Sequence, residues 1–174
     1  MKNYVALLIC AFLLSWISVN AQTENEFHRF EASVYGGIGT PILDQGLSYY
    51  ASFNPVIRVT EWLGFQADVN HIYAPKLTPF LWGDVMREKV TSINTGIQLR
   101  TQPKESNVFF SFSGAVGYTW IRQINENWIV ERYRKVSGTA WINMHTNSFV
   151  LSLGGADRYV VVRMGYTLKE KPHR

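Results

Sequence analysis

FEASVYGGIG, the stretch Phe30 to Gly39, decides how the rest of the chain is read. Phe30, Ala32, Val34, Gly36 and Ile38 alternate with Glu31, Ser33, Tyr35, Gly37 and Gly39. One set is largely apolar and the other polar or small, which is the two-residue period of a β-strand with two different faces. The same period continues downstream. Leu47, Tyr49, Ala51, Phe53, Pro55, Ile57 and Val59 oppose Ser48, Tyr50, Ser52, Asn54 and Arg58. Phe65, Ala67, Val69, His71 and Tyr73 oppose Gln66, Asp68 and Asn70, and Ile93, Thr95, Ile97 and Leu99 oppose Ser92, Asn94, Gln98 and Arg100. A fifth run has Phe110, Phe112, Val116, Tyr118 and Trp120 on its apolar side. The sixth, Val136 to Ile142, is the weakest and its start the least defined. Phe149, Leu151 and Leu153 mark the seventh, and Val160, Val162, Met164, Tyr166 and Leu168 the eighth.

No helical period of useful length interrupts the series. The connections are too short for parallel crossovers, so the eight strands are read as antiparallel neighbours. Turns at Thr60 to Leu63, Pro103 to Asn107 and Asn143 to Asn147 lie on one side. Thr40 to Gly46, Pro75 to Lys89, Arg122 to Lys135 and the tight Gly155 to Asp157 lie on the other.

Composition addresses which face meets water. Of the 174 residues 47% are hydrophobic, 14% aromatic and only 17% charged, which argues against a disordered chain or a highly charged nucleic-acid tail. The polar face holds Ser, Gly, Asn, Gln and Tyr and almost no Lys or Glu. Its main charges are Glu31, Arg58, Asp68, Arg100 and Arg163. Two acids and three bases pair readily inside a barrel, but would be sparse cover for a soluble surface. The expected pairs are Arg58 with Asp68, and Glu31 with Arg163 or Arg100. Tyr49, Tyr73, Tyr118, Trp120 and Tyr166 fall near the ends of the apolar face, where a bilayer interface favours amphipathic rings. The fold expected is therefore an all-β, eight-stranded antiparallel up-and-down transmembrane β-barrel with short periplasmic turns. Its rival is a soluble barrel or sandwich whose apolar face points inward.

Met1 to Ala21 reads as a cleaved secretory signal peptide. It has Lys2 at the start, an apolar stretch from Tyr4 to Ile17, and Val19-Asn20-Ala21 before the junction. Its removal takes the 17 Lys and Arg to 16 against 13 acids, a net charge of +3. It also removes Cys10, the only cysteine, so disulfides are not expected to stabilise the exported protein. The remaining organisation is a short periplasmic segment 22–28, a barrel 29–168 and a tail 169–174.

The leader, Val34-Tyr35-Gly36-Gly37-Ile38-Gly39, and Ser152-Leu153-Gly154-Gly155 ahead of Arg163-Met164-Gly165-Tyr166-Thr167-Leu168 carry a resemblance. The chain resembles small outer-membrane β-barrel proteins of Gram-negative bacteria. These are OmpA/OmpX-like eight-stranded barrels, in the Bacteroidetes porin-family or PorT-like form suggested by the Ala21-Gln22 junction. The likeness implies an outer-membrane location and architecture rather than an activity. The tail Lys169 to Arg174 departs from the aromatic residue with which such barrels commonly end.

An eight-stranded barrel encloses little more than its own side chains. Tyr35, Tyr50, Arg58, Arg100, Trp141, Tyr159 and Arg163 are expected to occupy it. Catalysis finds little support. His28, His71, His145 and His173 lack metal-ligand spacing, and no metal or cofactor is expected. His145 and Ser148 are close in sequence without a third member, and no paired carboxylates share a cleft. Two surface candidates remain. Phe80, Leu81 and Trp82 make the loop Pro75 to Lys89 apolar enough for a lid, a leaflet contact or a protein contact. Arg122, Arg132, Arg134 and Lys135 beside Trp128 and Tyr133 suit lipopolysaccharide phosphates, or equally a solvated extension of two strands. The expected role is a non-enzymatic, monomeric envelope barrel with a filled lumen. It would contact outer-membrane lipid, lipopolysaccharide and an envelope protein partner. The alternatives are a lipid-modifying enzyme with His and Ser or an acid at the outer rim, and a periplasmic barrel holding an apolar ligand.

Overall fold

A computed structural model describes residues 30–42, 46–76, 85–101, 108–125, 128–146 and 148–169. The expected leader 1–21, the segment 22–28, residues 170–174 of the tail, the turn Pro103–Asn107 and the apolar loop residues Phe80, Leu81 and Trp82 lie outside them.

Eight strands follow one another as β1 (Phe30–Pro41), β2 (Ser48–Arg58), β3 (Leu63–Ala74), β4 (Val85–Arg100), β5 (Val108–Asn125), β6 (Val130–Thr146), β7 (Phe149–Ala156) and β8 (Tyr159–Lys169). Each pairs antiparallel with the next, and β8 returns to β1 from Tyr159↔Pro41 to Lys169↔Glu31, closing the barrel. Closure removes the exposed edges that an open sheet of these strands would carry. The alternation fixes the inside and the outside. Val34, Val116, Val136 and Met164 are 56%, 68%, 70% and 71% exposed, whereas Glu31, Asp68 and Arg163 are at most 4% exposed. The barrel is thus inverted relative to a soluble one, with an apolar outer belt and charged groups within.

Pro55 has no amide hydrogen to give the β2–β3 ladder, whose backbone pairing passes over Asn54 and Pro55. The Asn54 side chain donates to the Ala67 carbonyl at 3.0 Å beside this gap.

Four strand boundaries differ from the sequence expectation. β5 runs on to Asn125 and β6 begins at Val130, so most of Arg122–Lys135 is a two-stranded hairpin rather than a connection. β4 starts at Val85, which shortens the Pro75–Lys89 loop, and β6 continues to Thr146, which narrows the turn before β7. The β5–β6 hairpin also outruns its neighbour. β7 pairs with β6 only from Thr139 to Thr146, so Val130–Gly138 has β5 on one flank and no described strand on the other. The Asn125 side chain accepts from the Ile129 amide at 2.8 Å, and Trp128 (φ 60°) turns the chain back.

Candidate functional site: the lumen and the outer wall

The strand register stacks the inward side chains in levels. At the end where the chain enters and leaves the barrel, Glu31 accepts from Arg58 at 2.7 Å and from Arg100 at 3.1 Å. The same Arg58 nitrogen reaches Gln98 Oε1 at 2.7 Å. The Arg100 guanidinium lies 3.6 Å from the centre of the Phe109 ring, which stacks on His145 at 4.4 Å. His145 Nε2 meets Ser111 Oγ at 2.8 Å, and Asn143 donates to that hydroxyl at 3.1 Å.

Mid-barrel, Arg163 is buried, with partners on four other strands. Its guanidinium lies 3.6 Å from the Trp141 ring centre and 3.9 Å from that of Tyr35, and donates to Tyr50 Oη and Ser52 Oγ at 3.0 Å each. Asp68 stands 4.0 Å away and accepts from Thr139 Oγ1 at 3.2 Å and Trp141 Nε1 at 3.4 Å. Two glycines make room for the flanking rings. Trp141 pairs across the sheet with Gly154 and Tyr35 with Gly165. A Cβ at Gly154 would come 2.5 Å from the Trp141 ring, and one at Gly165 would come 2.5 Å from the Tyr35 ring. Only a bare backbone lets both rings lie against the wall and stack on one guanidinium, an arrangement that cation–π attraction favours once water is excluded.

Further along, the lumen turns apolar. Tyr50, Ile72, Val90, Ile121, Trp141, Ala156, Tyr159 and Val161 form one buried cluster. Beyond it Glu88, 1% exposed, is held by Arg158, by Tyr159 Oη at 2.6 Å and by Gln123 Nε2 at 3.4 Å.

The five charges named from sequence are all inward, but their partners differ. Arg58 bonds Glu31 rather than Asp68. The tight β2–β3 turn sets Arg58 opposite Gly64, four residues short of Asp68 along the strand. Asp68 falls to Arg163, and Glu31 holds Arg58 and Arg100 together. His145 meets Ser111 on the neighbouring strand rather than Ser148 across the turn, and does so inside the barrel wall at the end away from Glu88. The apolar level and Glu88 escaped the sequence reading, although Ile72, Val90 and Ile121 continue the inward parity of Asn70, Ser92 and Thr119.

The outer wall changes character at the same height. Val69, Ile93, Tyr118 and Val136 stand in register across β3–β6 and face outward. Two residues on, the outward set is His71, Thr91, Trp120 and Arg134, and two further on it is Tyr73, Lys89, Arg122 and Arg132. All of these but Tyr73, together with Ile121 and Tyr133, line a cleft of about 440 Å³. His71 Nδ1 meets Thr91 Oγ1 at 2.9 Å, and Lys89 Nζ lies 5.3 Å from the Tyr73 ring centre. Arg132 and Arg134, expected on a loop, therefore stand on this wall. Lys135 has the opposite parity and pairs with Asp157 at 2.8 Å.

This barrel architecture is similar to that of a solved β-barrel domain. The N-terminal β-barrel domain of Pseudomonas aeruginosa OprF matches with a TM-score of 0.50 at 12% identity, over 80% of this chain and 96% of that one. The outer-membrane protein Ail of Yersinia pestis matches with a TM-score of 0.41 at 13% identity, over 79% of this chain and 99% of that one. At such identities the likeness to OprF speaks for the fold alone. No family model and no curated protein matches the sequence.

Proposed function

We propose that the chain is a non-enzymatic protein of the bacterial outer membrane, with its termini on the periplasmic side and its lumen occupied by its own side chains. Its role on this reading is structural, or one of interaction at the envelope. The observation that carries the proposal is the inversion of the barrel: apolar residues cover the outside while Arg163, Asp68 and Glu31 are buried within. On β5 the outward apolar positions run from Val108 to Trp120. That is about 40 Å of strand at roughly 3.4 Å per residue, or about 30 Å of height at the strand tilt usual for such barrels. A bilayer core has about that thickness. The Arg163 level, with Trp141 and Tyr35 on its guanidinium, supports a lumen closed to diffusion.

Cell fractionation tests the location, and electrophoresis of unboiled and boiled protein tests the closed barrel. Recovery in the outer membrane with a heat-dependent mobility shift is the expected result. Reconstituted vesicles should admit no small sugars. Recovery as soluble periplasmic protein would overturn the reading, and free sugar entry would overturn the closed lumen.

A further inference from the structure

We infer that the cleft on the outer wall of β3–β6 binds a phosphate group of an outer-leaflet glycolipid, with Lys89, Arg122, Arg132 and Arg134 as its ligands and Trp120 beside the sugar or upper acyl chain. The inference rests on the membrane reading above and deepens it.

The register is its first support. Lys89 is directly opposite Arg122, and Arg122 directly opposite Arg132. Like charges at such positions are about 5 Å apart at Cβ and repel, so the row is unfavourable until something neutralises it. Arg134 sits one step down the same strand as Arg132, on the same face. No described acid does the neutralising. Glu88 and Asp157 are engaged by Arg158 and Lys135, and Glu131 has the inward parity opposite Gln123. None of the described ion pairs uses any of the four cations. A phosphate suits them because guanidinium forks bind its oxygens in pairs and a lysine adds a point charge.

The second support is position, and it selects a lipid over a free anion. The cations share the outward parity of the apolar belt, directly above Val69, Ile93, Tyr118 and Val136. An amphiphile whose chains lie along that belt would bring its headgroup to this height. Among the described residues no strand flanks β6 over Val130–Gly138 on the side away from β5, which leaves that side of the cleft facing the leaflet.

The full chain, folded in phosphatidylcholine nanodiscs, is titrated with bis-phosphorylated lipid A, with the same lipid dephosphorylated, and with inorganic phosphate as competitor. Native mass spectrometry reads the bound lipid. The expected result is a preference of about tenfold for the phosphorylated lipid, which inorganic phosphate at equal concentration does not displace. The variant R122Q/R132Q/R134Q should lose the preference while keeping its heat-dependent mobility shift, and Lys76→Gln should retain it. If the triple variant does not fold, the single Arg132→Gln, at the exposed end of the hairpin, should still cost about threefold. Equal binding of both lipids, or wild-type binding by the arginine variants, would overturn the inference and leave the membrane reading standing. Displacement by inorganic phosphate would reassign the cleft to free anions and overturn the lipid. Failure of the wild-type protein to enter nanodiscs would overturn both readings together.

Discussion

Two levels of one wall obey opposite rules. In the lower level of β3–β6, Asn70, Ser92 and Thr119 point inward while Val69, Ile93 and Tyr118 point outward. Two residues higher Ile72, Val90 and Ile121 point inward, and four residues higher Lys89, Arg122 and Arg132 point outward. The period of two continues without a slip, and only its phase of polarity reverses. The upper level is built like a soluble barrel, apolar within and charged without. The lower level is built for apolar surroundings. On the proposed membrane reading a change of solvent outside the wall is the physical cause, and that reading puts the bilayer boundary between Tyr118 and Arg122. Inside, the change means that the two levels are held by different forces. Below, they are hydrogen-bonded ions and amides. Above, they are apolar contacts capped by Glu88.

The largest expected effect comes from breaking the ionic level. Arg163→Met keeps most of the volume between Trp141 and Tyr35 but removes the charge facing Asp68, which is 0% exposed. Removing one partner of a buried pair typically costs about 3–5 kcal/mol, because the other charge stays desolvated. Urea unfolding of the barrel in lipid vesicles should show a loss of that order, and the double variant with Asp68→Asn should recover part of it. A loss below about 1 kcal/mol would mean that the level is held by ring packing rather than charge.

A smaller effect belongs to the apolar level. Ile72→Val removes one methylene from the cluster of Val90, Ile121 and Val161 and should cost about 0.5–1.5 kcal/mol. The same titration should show this loss unchanged between low and high salt. Strong salt dependence would mean that charge rather than apolar contact holds the inside of this level, and would erase the contrast between the two levels.

The reversal of phase also explains what the sequence made legible. The lower level was readable throughout, because each strand there contrasts a Ser, Asn or Gln with a Val, Ile or Phe. The closed order of eight strands and the inward parity of Glu31, Arg58, Asp68, Arg100 and Arg163 follow from that contrast. In Lys89-Val90-Thr91 and Trp120-Ile121-Arg122 the contrast inverts, so the upper halves of β4, β5 and β6 look like loops. Partners were hidden for a different reason. Arg58 can meet Asp68 in one register and Glu31 in another, and only the turn around Glu61 and Trp62 fixes which. Likewise, the contact of His145 with Ser111 spans 34 residues and depends on how β5 and β6 align. The cationic cleft needed all four strands in register, since its members come from β4, β5 and β6 with His71 of β3 beside them.

The smallest effect tests where the upper level is tied to the rest. The hairpin leaves the side of β7 at Gly138, whose carbonyl accepts from the Asp157 amide of the β7–β8 turn at 3.1 Å, and three residues further out the Lys135 ammonium meets the same Asp157. The lysine side chain is 39% exposed, so water and salt screen the pair. Pairs of this kind contribute about 0.2–1 kcal/mol. Lys135→Ala should therefore leave global stability nearly unchanged, yet speed amide hydrogen exchange along Glu131–Val136, because among the described residues that segment has one flanking strand instead of two. The backbone bond to Gly138 would remain, so exchange from Thr139 onward should not change. A loss above about 2 kcal/mol on urea unfolding would exceed what a screened pair supplies. It would show that the upper hairpin unfolds together with the lumen levels instead of opening independently of them.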